Sequence, residues 1–232
     1  MTGARDEILG CLRGALRRNP GDGETVDRRL ATHPRNLVPK RAQLPHAEQV
    51  DLFLKMAAEA AGTVERVPDL TAVPDAVAAY LAAQNLPAEI RVAPDPELSG
   101  IPWGERPTLD VRTGKADPMD VVGVTGAFAG VAETGTLMMV SGPAHPTTLN
   151  FLPETQIVVL RAERVVGSYE DGWDRLRAER GEMPRTVNFI TGPSRTADIE
   201  MTLYMGAHGP RRLHIVLVDG AEGGTVDGGV SA

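Results

Sequence analysis

Two stretches of the chain, Gln156-Ile157-Val158-Val159-Leu160 and Ile215-Val216-Leu217-Val218, decide the fold class. Both contain four consecutive aliphatic residues with no polar residue at alternate positions. A strand with one solvated face would alternate apolar and polar residues, so these runs predict strands buried on both faces. Such strands lie at the centre of a sheet that helices cover on both sides. The two runs therefore predict an α/β fold with a mostly parallel sheet.

Outward from these runs, helical and extended patterns alternate along the chain, as an α/β fold requires. Residues Ile8, Leu12 and Leu16 recur every four positions and predict an N-terminal helix that ends near Pro20. Further helices are predicted over residues 46–61, 74–84, 169–180 and 196–205. Strands are predicted over residues 63–67, 90–93, 121–125, 136–141, 156–160 with 165–166, 187–191 and 213–218.

The pattern divides the chain into three parts. Residues 1–45 are predicted to form the N-terminal helix and a flexible arm, because residues 20–45 are polar, basic and dotted with proline. Residues 46–219 are predicted to form the α/β domain. Residues 220–232 are rich in glycine and are predicted to be disordered.

Composition excludes several classes of function. Cys11 is the single cysteine among 232 residues, so this chain alone cannot supply an all-cysteine zinc or iron–sulfur site. A net charge of −7 and an aromatic content of 4% argue against nucleic-acid binding. No run of apolar residues is long enough to predict a membrane span, and no signal peptide is recognisable. We therefore expect a cytoplasmic protein with no metal site of its own.

The segment Ala132-Glu133-Thr134-Gly135-Thr136 lies between two predicted strands and places a carboxylate at a turn. Such a carboxylate acts as a nucleophile or base when neighbouring groups set its orientation and pKa. The alternative is that Glu133 and the threonines only shape the turn.

The segment Thr191-Gly192-Pro193-Ser194-Arg195-Thr196 is interpreted as a loop that enters the helix predicted over residues 196–205. The amino end of a helix binds anions, and Ser194, Arg195 and Thr196 would add donors. Ser194 or Thr196 acting only as a helix cap is the alternative. Neither a phosphate-binding loop of the G-x-x-x-x-G-K-[ST] type nor a G-x-G-x-x-G fingerprint occurs.

The segment from Gly206 to His214 contains a histidine, His208, that could transfer a proton near neutral pH. A lone loop histidine is more often a hydrogen-bonded structural residue, and no carboxylate or cysteine stands at metal-ligand spacing beside it. Ser141 and His145 are close in sequence but lack the G-x-S-x-G turn of a hydrolase nucleophile.

Taken together, AETGTL at 132–137, LNFLP at 149–153, GPSRTADIE at 192–200 and HGPRRLH at 208–214 resemble the lactate utilization protein C family and its LUD domain. The resemblance is strong over residues 119–218. It implies a Rossmann-like sheet of the sugar-isomerase and coenzyme A transferase-like superfamily, with an N-terminal helical extension.

The resemblance also implies a role in the oxidation of L-lactate to pyruvate together with iron–sulfur partner proteins. Because one cysteine cannot hold a cluster, the electrons would pass to such a partner. On this hypothesis the chain is a ligand-binding or assembly subunit. Glu133 and His208 flank a small anionic ligand as catalytic candidates, and the ligand-binding candidates are Thr134, Gly135, Thr136, Gly192, Ser194, Arg195, Thr196 and Arg211.

Two alternatives stay open. The chain could be a stand-alone coenzyme A transferase-like enzyme, since the superfamily's transferases use a glutamate in an E-x-G turn and Glu133-Thr134-Gly135 matches that pattern. It could also be a scaffold that holds its iron–sulfur partner through the first helix or through the basic arm at residues 28–41.

Overall fold

The computed structural model describes residues 3–16, 22–197, 203–205 and 208–220. Apart from Gly220, the tail predicted to be disordered, residues 220–232, lies outside the described residues, and so does Gly206. The chain divides into two compact units, Met1–Leu37 and Val38–Ala232. Among the described residues, no helix combines the length and the hydropathy that crossing a lipid bilayer demands.

The described residues of the first unit form two helices, α1 (Ala4–Leu16) and α2 (Asp22–Thr32). Helix α1 matches the predicted N-terminal helix. Helix α2 lies in the stretch predicted to be a flexible arm, where no helix was predicted. Val26 and Leu30 stand four residues apart, a helical spacing that the polar composition of the segment hides.

The described residues of the second unit form four helices and twelve strands, and outside residues 196–205 each predicted element lies close to an observed one. The helices are α3 (His46–Glu59), α4 (Val73–Ala83), α5 (Pro96–Ser99) and α6 (Tyr169–Glu179). The strands are β1 (Thr63–Val67), β2 (Glu89–Val92), β3 (Asp110–Thr113), β4 (Val122–Gly126), β5 (Ala129–Val131), β6 (Thr136–Val140), β7 (Thr155–Arg161), β8 (Val165–Val166), β9 (Val187–Ile190), β10 (Arg195–Ala197), β11 (Leu203–Met205) and β12 (Arg212–Val218).

Six strands form a parallel sheet in the order β1-β12-β7-β4-β2-β3. The two apolar runs of the sequence are its neighbouring central strands, with Ile157 opposite His214 and Leu160 opposite Leu217. From β1 the chain crosses to β2 and β3 at the far edge, then returns through β4 and β7 to β12. The parallel sheet predicted from the runs is confirmed.

The side chains of the central strands point alternately into two cores. Ile157, Val159, Val216 and Val218 pack with α4, whereas Val158, Leu160, Ile215 and Leu217 pack with α3. Helices therefore cover both faces, which explains why these strands have no polar face.

A second sheet, in the order β8-β5-β6-β9, packs against α6. Its strands β5 and β6 form an antiparallel pair whose turn is the segment 132–135. Residues 165–166, which the sequence pattern groups with the strand at 156–160, belong to this second sheet. The short turn Ala162–Arg164 separates the two and carries the chain from one sheet to the other.

The helix predicted over residues 196–205 is wrong. Strands β10 and β11 occupy its two ends as an antiparallel pair, with Thr196 opposite Tyr204. Threonine and tyrosine both favour strands. Residues 198–202 lie outside the described part of the chain. The expected helix amino terminus after Ser194, with its dipole for an anion, is therefore absent from the described residues.

Candidate functional site

The central crevice of the parallel sheet opens at the carboxyl ends of β2 and β4. After β2 the chain continues to β3 on one side, and after β4 it turns toward β7 on the other side. The carboxyl ends of neighbouring strands whose connections diverge leave a gap, and ligands of open α/β sheets bind in such gaps. A cavity of about 370 Å³ lies here, lined by residues that follow both strands.

Asp95 and His145 form the polar centre of this crevice. Asp95 follows β2 and is only 5% exposed, while the His145 side chain is 29% exposed. His145 Nδ1 lies 3.3 Å from Asp95 Oδ2, and the backbone N–H of Glu97 donates to Asp95 Oδ1 at 2.9 Å. With Nδ1 held by the carboxylate, Nε2 is the ring nitrogen left for a ligand.

The surroundings keep the Asp95 carboxyl ionised. Burial alone would raise the pKa of Asp95, but the hydrogen bonds from His145 and from the Glu97 N–H outweigh it and lower that pKa. Gly126, the last residue of β4, makes room for the carboxylate, since a Cβ there would lie 2.7 Å from Asp95 Oδ2. The pair is therefore a fixed carboxylate–imidazole unit.

Arginines in and beside the crevice supply positive charge. Arg164 is bound to Glu179 at 2.6 Å, and Arg161 lies 3.5 Å from Glu97. Arg180, directly after α6, lies over the Phe128 ring at 5.9 Å and pairs with no described carboxylate. Arg180 is thus the lining guanidinium whose charge is available to an anion.

Glu133, predicted as a catalytic residue, lies elsewhere and contacts the start of α6. It is 7% exposed, and its Oε1 accepts the backbone N–H of Tyr169 at 3.1 Å. Ser168 and Asp171 form a capping box at the same helix end. A carboxylate at the amino end of a helix stabilises it. The contacts of Glu133 are those of a helix-capping residue.

Thr134 and Thr136 take part in a cluster of four hydroxyl groups. Thr136 Oγ1 lies 2.7 Å from Thr134 Oγ1, 2.9 Å from the Tyr169 hydroxyl and 2.6 Å from Thr191 Oγ1. The Thr134 and Tyr169 hydroxyls are also 2.9 Å apart. Four hydroxyl protons thus meet four contacts, so the cluster can satisfy all its donors internally. It joins the β5–β6 turn to α6 and to the end of β9.

Gly135 and Gly192 let two turns approach α3. Both have positive φ, +65° and +73°. A Cβ on Gly135 would lie 2.2 Å from Ala57 N, and one on Gly192 would lie 2.1 Å from Ala60 O. Real side chains do not tolerate such distances, so the two glycines are required by backbone packing.

The remaining predicted residues gather at the opposite end of the parallel sheet from the crevice. Ser194 N donates to Pro210 O at 2.8 Å, and Ser194 Oγ accepts the His208 N–H at 3.3 Å. Arg195 donates to Ala60 O at 2.8 Å, and Arg211 N donates to Glu154 O. The backbone of Thr196 pairs with Tyr204, and its side chain is not described.

The structure therefore brings together Ser194 with His208, and Thr134 with Thr136. Within the described residues, no hydrogen bond or ion pair joins Glu133 to His208. Sequence reasoning missed Asp95 and Arg180, and it considered His145 only beside Ser141 as a possible hydrolase residue. A signal for Asp95 is present in the sequence, because this aspartate directly follows the strand predicted over residues 90–93. In the fold it lies opposite Gly126, the glycine that ends β4.

Comparison with known proteins finds similarity in the second half of the chain. The LUD domain family matches residues 113–218. Lactate utilization protein C of a Geobacillus species is 37% identical over 100 residues, 42% of each chain. The protein of the same name from Halalkalibacterium halodurans is 36% identical over 108 residues, 45% of this chain and 46% of that one. An uncharacterized protein of Neisseria meningitidis serogroup B is 38% identical over 96 residues, 41% of each chain.

The matched region spans less than half the length of these relatives. A solved structure, a DUF162 family protein from Deinococcus radiodurans, resembles the fold with a TM-score of 0.55 at 22% identity. It covers 75% of this chain and 99% of that one. Residues 113–218, the part of the chain that matches the LUD domain family, supply β4 to β12, including three strands of the parallel sheet.

Proposed function

We propose that this chain is a ligand-binding subunit of a lactate utilization system and that its ligand, a small carboxylate, occupies the crevice between β2 and β4. The observation that carries the proposal is a lined cavity at the divergence point of a parallel sheet, most of whose lining residues belong to the LUD domain. The similarity to lactate utilization protein C supports the biological role.

The crevice suits a small anion for two reasons. Arg180 offers a positive charge that no described carboxylate neutralises, and the Asp95–His145 pair offers a polar group fixed in orientation. The cavity of about 370 Å³ is within the range of small-molecule sites.

Oxidation of lactate to pyruvate releases two electrons and two protons, and an acceptor must take the electrons. The single cysteine, Cys11, cannot hold a cluster. We propose that an iron–sulfur protein of the same system accepts them and that this chain binds it in the cytoplasm.

Deletion of the gene in the source organism tests the role. We expect the deletion strain to lose growth on L-lactate as the sole carbon source and to keep growth on glucose, with a plasmid copy restoring the former. Unchanged growth on L-lactate would contradict the proposed role.

Anaerobic purification of the tagged full chain from its own organism tests the partner. We expect a cysteine-rich protein with the absorbance of an iron–sulfur cluster to copurify at a fixed ratio. A chain that elutes alone from cells grown on L-lactate would remove the partner from the proposal.

A further inference from the structure

Helix α1 of the first unit has an apolar face that the described residues leave largely exposed. Ile8, Leu12 and Leu16 stand four positions apart, so their side chains lie on the same face of the helix. Their exposed fractions are 60%, 52% and 59%, and no residue of α1 is buried. A helix of 13 residues is marginal alone in water, because helices in proteins gain most of their stability from packing an amphipathic face. The apolar face of α1 therefore requires a partner surface.

The spacing of these residues makes the apolar face complementary to a second copy of itself. Leu12 lies midway between Ile8 and Leu16. When two α1 helices pack antiparallel with Leu12 beside Leu12 of the second copy, each Ile8 lies beside a Leu16. A contact of this kind uses the same patch on both copies and closes under two-fold symmetry, so it produces a dimer and not a filament.

The charges of α1 favour the antiparallel arrangement over the parallel one. Arg5, Asp6 and Glu7 give the start of the helix a net negative charge, and Arg13 gives its last turn a positive charge. Asp6 and Arg13 are separated by about two helical turns, so both lie along the same edge of the apolar face. Antiparallel packing places the acidic start of one helix near the basic end of the other, whereas parallel packing places like charges together.

The charge of α1 also favours a second copy over a lipid surface. Helices that lie on membranes carry polar faces rich in lysine and arginine. Helix α1 contains two acidic and two basic residues, so it has no excess of positive charge to attract anionic lipids.

Helix α2 of the same compact unit offers further apolar surface. Its Val26 and Leu30 also stand four positions apart and are 53% and 64% exposed. Two copies of the first unit supply four short amphipathic helices, the number that the commonest helix bundles use. The surface available to a dimer is therefore larger than the face of α1 alone.

We infer that the chain forms a two-fold symmetric dimer through its first unit, with α1 packed antiparallel on α1 of a second copy and Leu12 at the symmetry axis. The inference concerns a surface of the first unit and does not depend on a ligand in the crevice of the second unit.

Sedimentation equilibrium of the full chain tests the dimer. We expect a mass of twice 24.7 kDa that falls toward the single-chain mass on dilution. Leu12→Gln removes an apolar side chain from each copy at the symmetry axis, so the dissociation constant should rise at least about tenfold. Leu37→Gln is the matched control, since Leu37 is 91% exposed and lies in neither helix of the first unit.

Two sedimentation results would overturn the inference. A single-chain mass at every concentration would show that the face of α1 does not bind a second copy. Equal dissociation constants for Leu12→Gln and Leu37→Gln would place the contact between copies elsewhere. Leu12 belongs to none of the described cores, so its substitution leaves the fold of the second unit intact.

Pulsed electron paramagnetic resonance tests the direction of packing. Cys11, the single cysteine, is exposed on α1 and takes a spin label directly. With Leu12 at the axis, the two Cys11 positions are offset by about 3 Å along the helices, and two labels on Ala4→Cys in a Cys11→Ser chain are offset by about 24 Å. The distance between labels should therefore be about 10 Å longer at position 4 than at position 11. Equal distances, as in a parallel pair, or no dipolar coupling at position 11, would overturn the inference.

Discussion

His214 lies on β12, the strand that separates the two cores. Its ring stacks on the ring of Tyr80 at a centroid distance of 3.9 Å. Its Nδ1 contacts Thr63 Oγ1 at 2.9 Å, while its buried Nε2 has no hydrogen-bond partner among the described residues and lies 3.8 Å from a Glu65 oxygen. Burial disfavours the charged ring and lowers the pKa of His214 from 6.5 to about 4. The folded protein therefore keeps this histidine neutral.

This histidine makes stability depend on pH. Since its pKa is lower in the folded state, the unfolded state binds the proton first, and stability falls as the pH decreases from 6.5 toward about 4. The full loss in the free energy of unfolding that this histidine causes is roughly 3 kcal/mol. Urea denaturation of the wild type and of His214→Phe at several pH values measures it. The variant should lack the His214 contribution to the decrease in the free energy of unfolding across this pH window. Equal decreases in the two proteins would contradict the lowered pKa of His214.

Glu133 is expected to contribute to stability through its contact with α6. Glu133→Ala leaves the Tyr169 N–H without its acceptor and removes a negative charge from the helix start, so we expect a loss of about 1 kcal/mol. Glu182→Ala, at an exposed position, is the control and should change stability by less than about 0.5 kcal/mol. A hydroxylamine-sensitive adduct at Glu133 after incubation with acyl-coenzyme A would instead support the transferase alternative.

At the scale of elements, the β5–β6 turn depends on its contact with α3. Gly135→Ala would place a Cβ 2.2 Å from Ala57 N in a backbone with positive φ. We expect a loss of about 3 kcal/mol or more, seen as a lower melting temperature or a loss of soluble protein. Gly104→Ala is the control, since no described atom lies within 4 Å of the position that its Cβ would take. Equal melting temperatures for the two variants would show that the turn can move away from α3.

Local sequence patterns predict the elements of the parallel sheet well, because burial on both faces leaves a direct signature. The runs at 157–160 and 215–218 are this case. Strand β5 escapes prediction because Ala129-Gly130-Val131 is short and lacks alternation. Helix α2 escapes prediction because its polar surface resembles a loop. The segment from Arg195 to Met205 is misleading because Asp198 and Glu200 imitate the acidic first turn of a helix.

The candidate site is less predictable for a physical reason. Glu133, Ser194 and His208 stand out by their motifs, and the structure gives them contacts that hold turns and strands together. Asp95 and His145 are 50 positions apart and meet only because the sheet order brings the loops after β2 and β6 together. No local spacing encodes that pairing.

At the scale of the whole molecule, the second unit contains all the hydrophobic core that the described residues form, beginning at Ala42. We expect residues 38–232 to fold without residues 1–37 and to unfold cooperatively, because no described core side chain is removed. Thermal denaturation followed by circular dichroism checks this. A melting temperature lower by more than about 5 °C than that of the full chain would show that the first unit stabilises the second.

The described second unit also separates two groups of residues along the parallel strands. The motif residues Ser194 and His208 gather where β7 and β12 begin, and the crevice with Asp95, His145 and Arg180 lies where β2 and β4 end. The two locations make different predictions for where a ligand binds, so one experiment can distinguish them.

That experiment is a titration of the ¹⁵N-labelled full chain with L-lactate, followed by amide chemical shifts. The crevice site predicts saturable shifts at Gly126, Phe128 and His145, with Ser194 and His208 unchanged. Shifts confined to Ser194, Arg195 and His208, or no shifts at millimolar L-lactate, would contradict the proposal that the crevice is the ligand site.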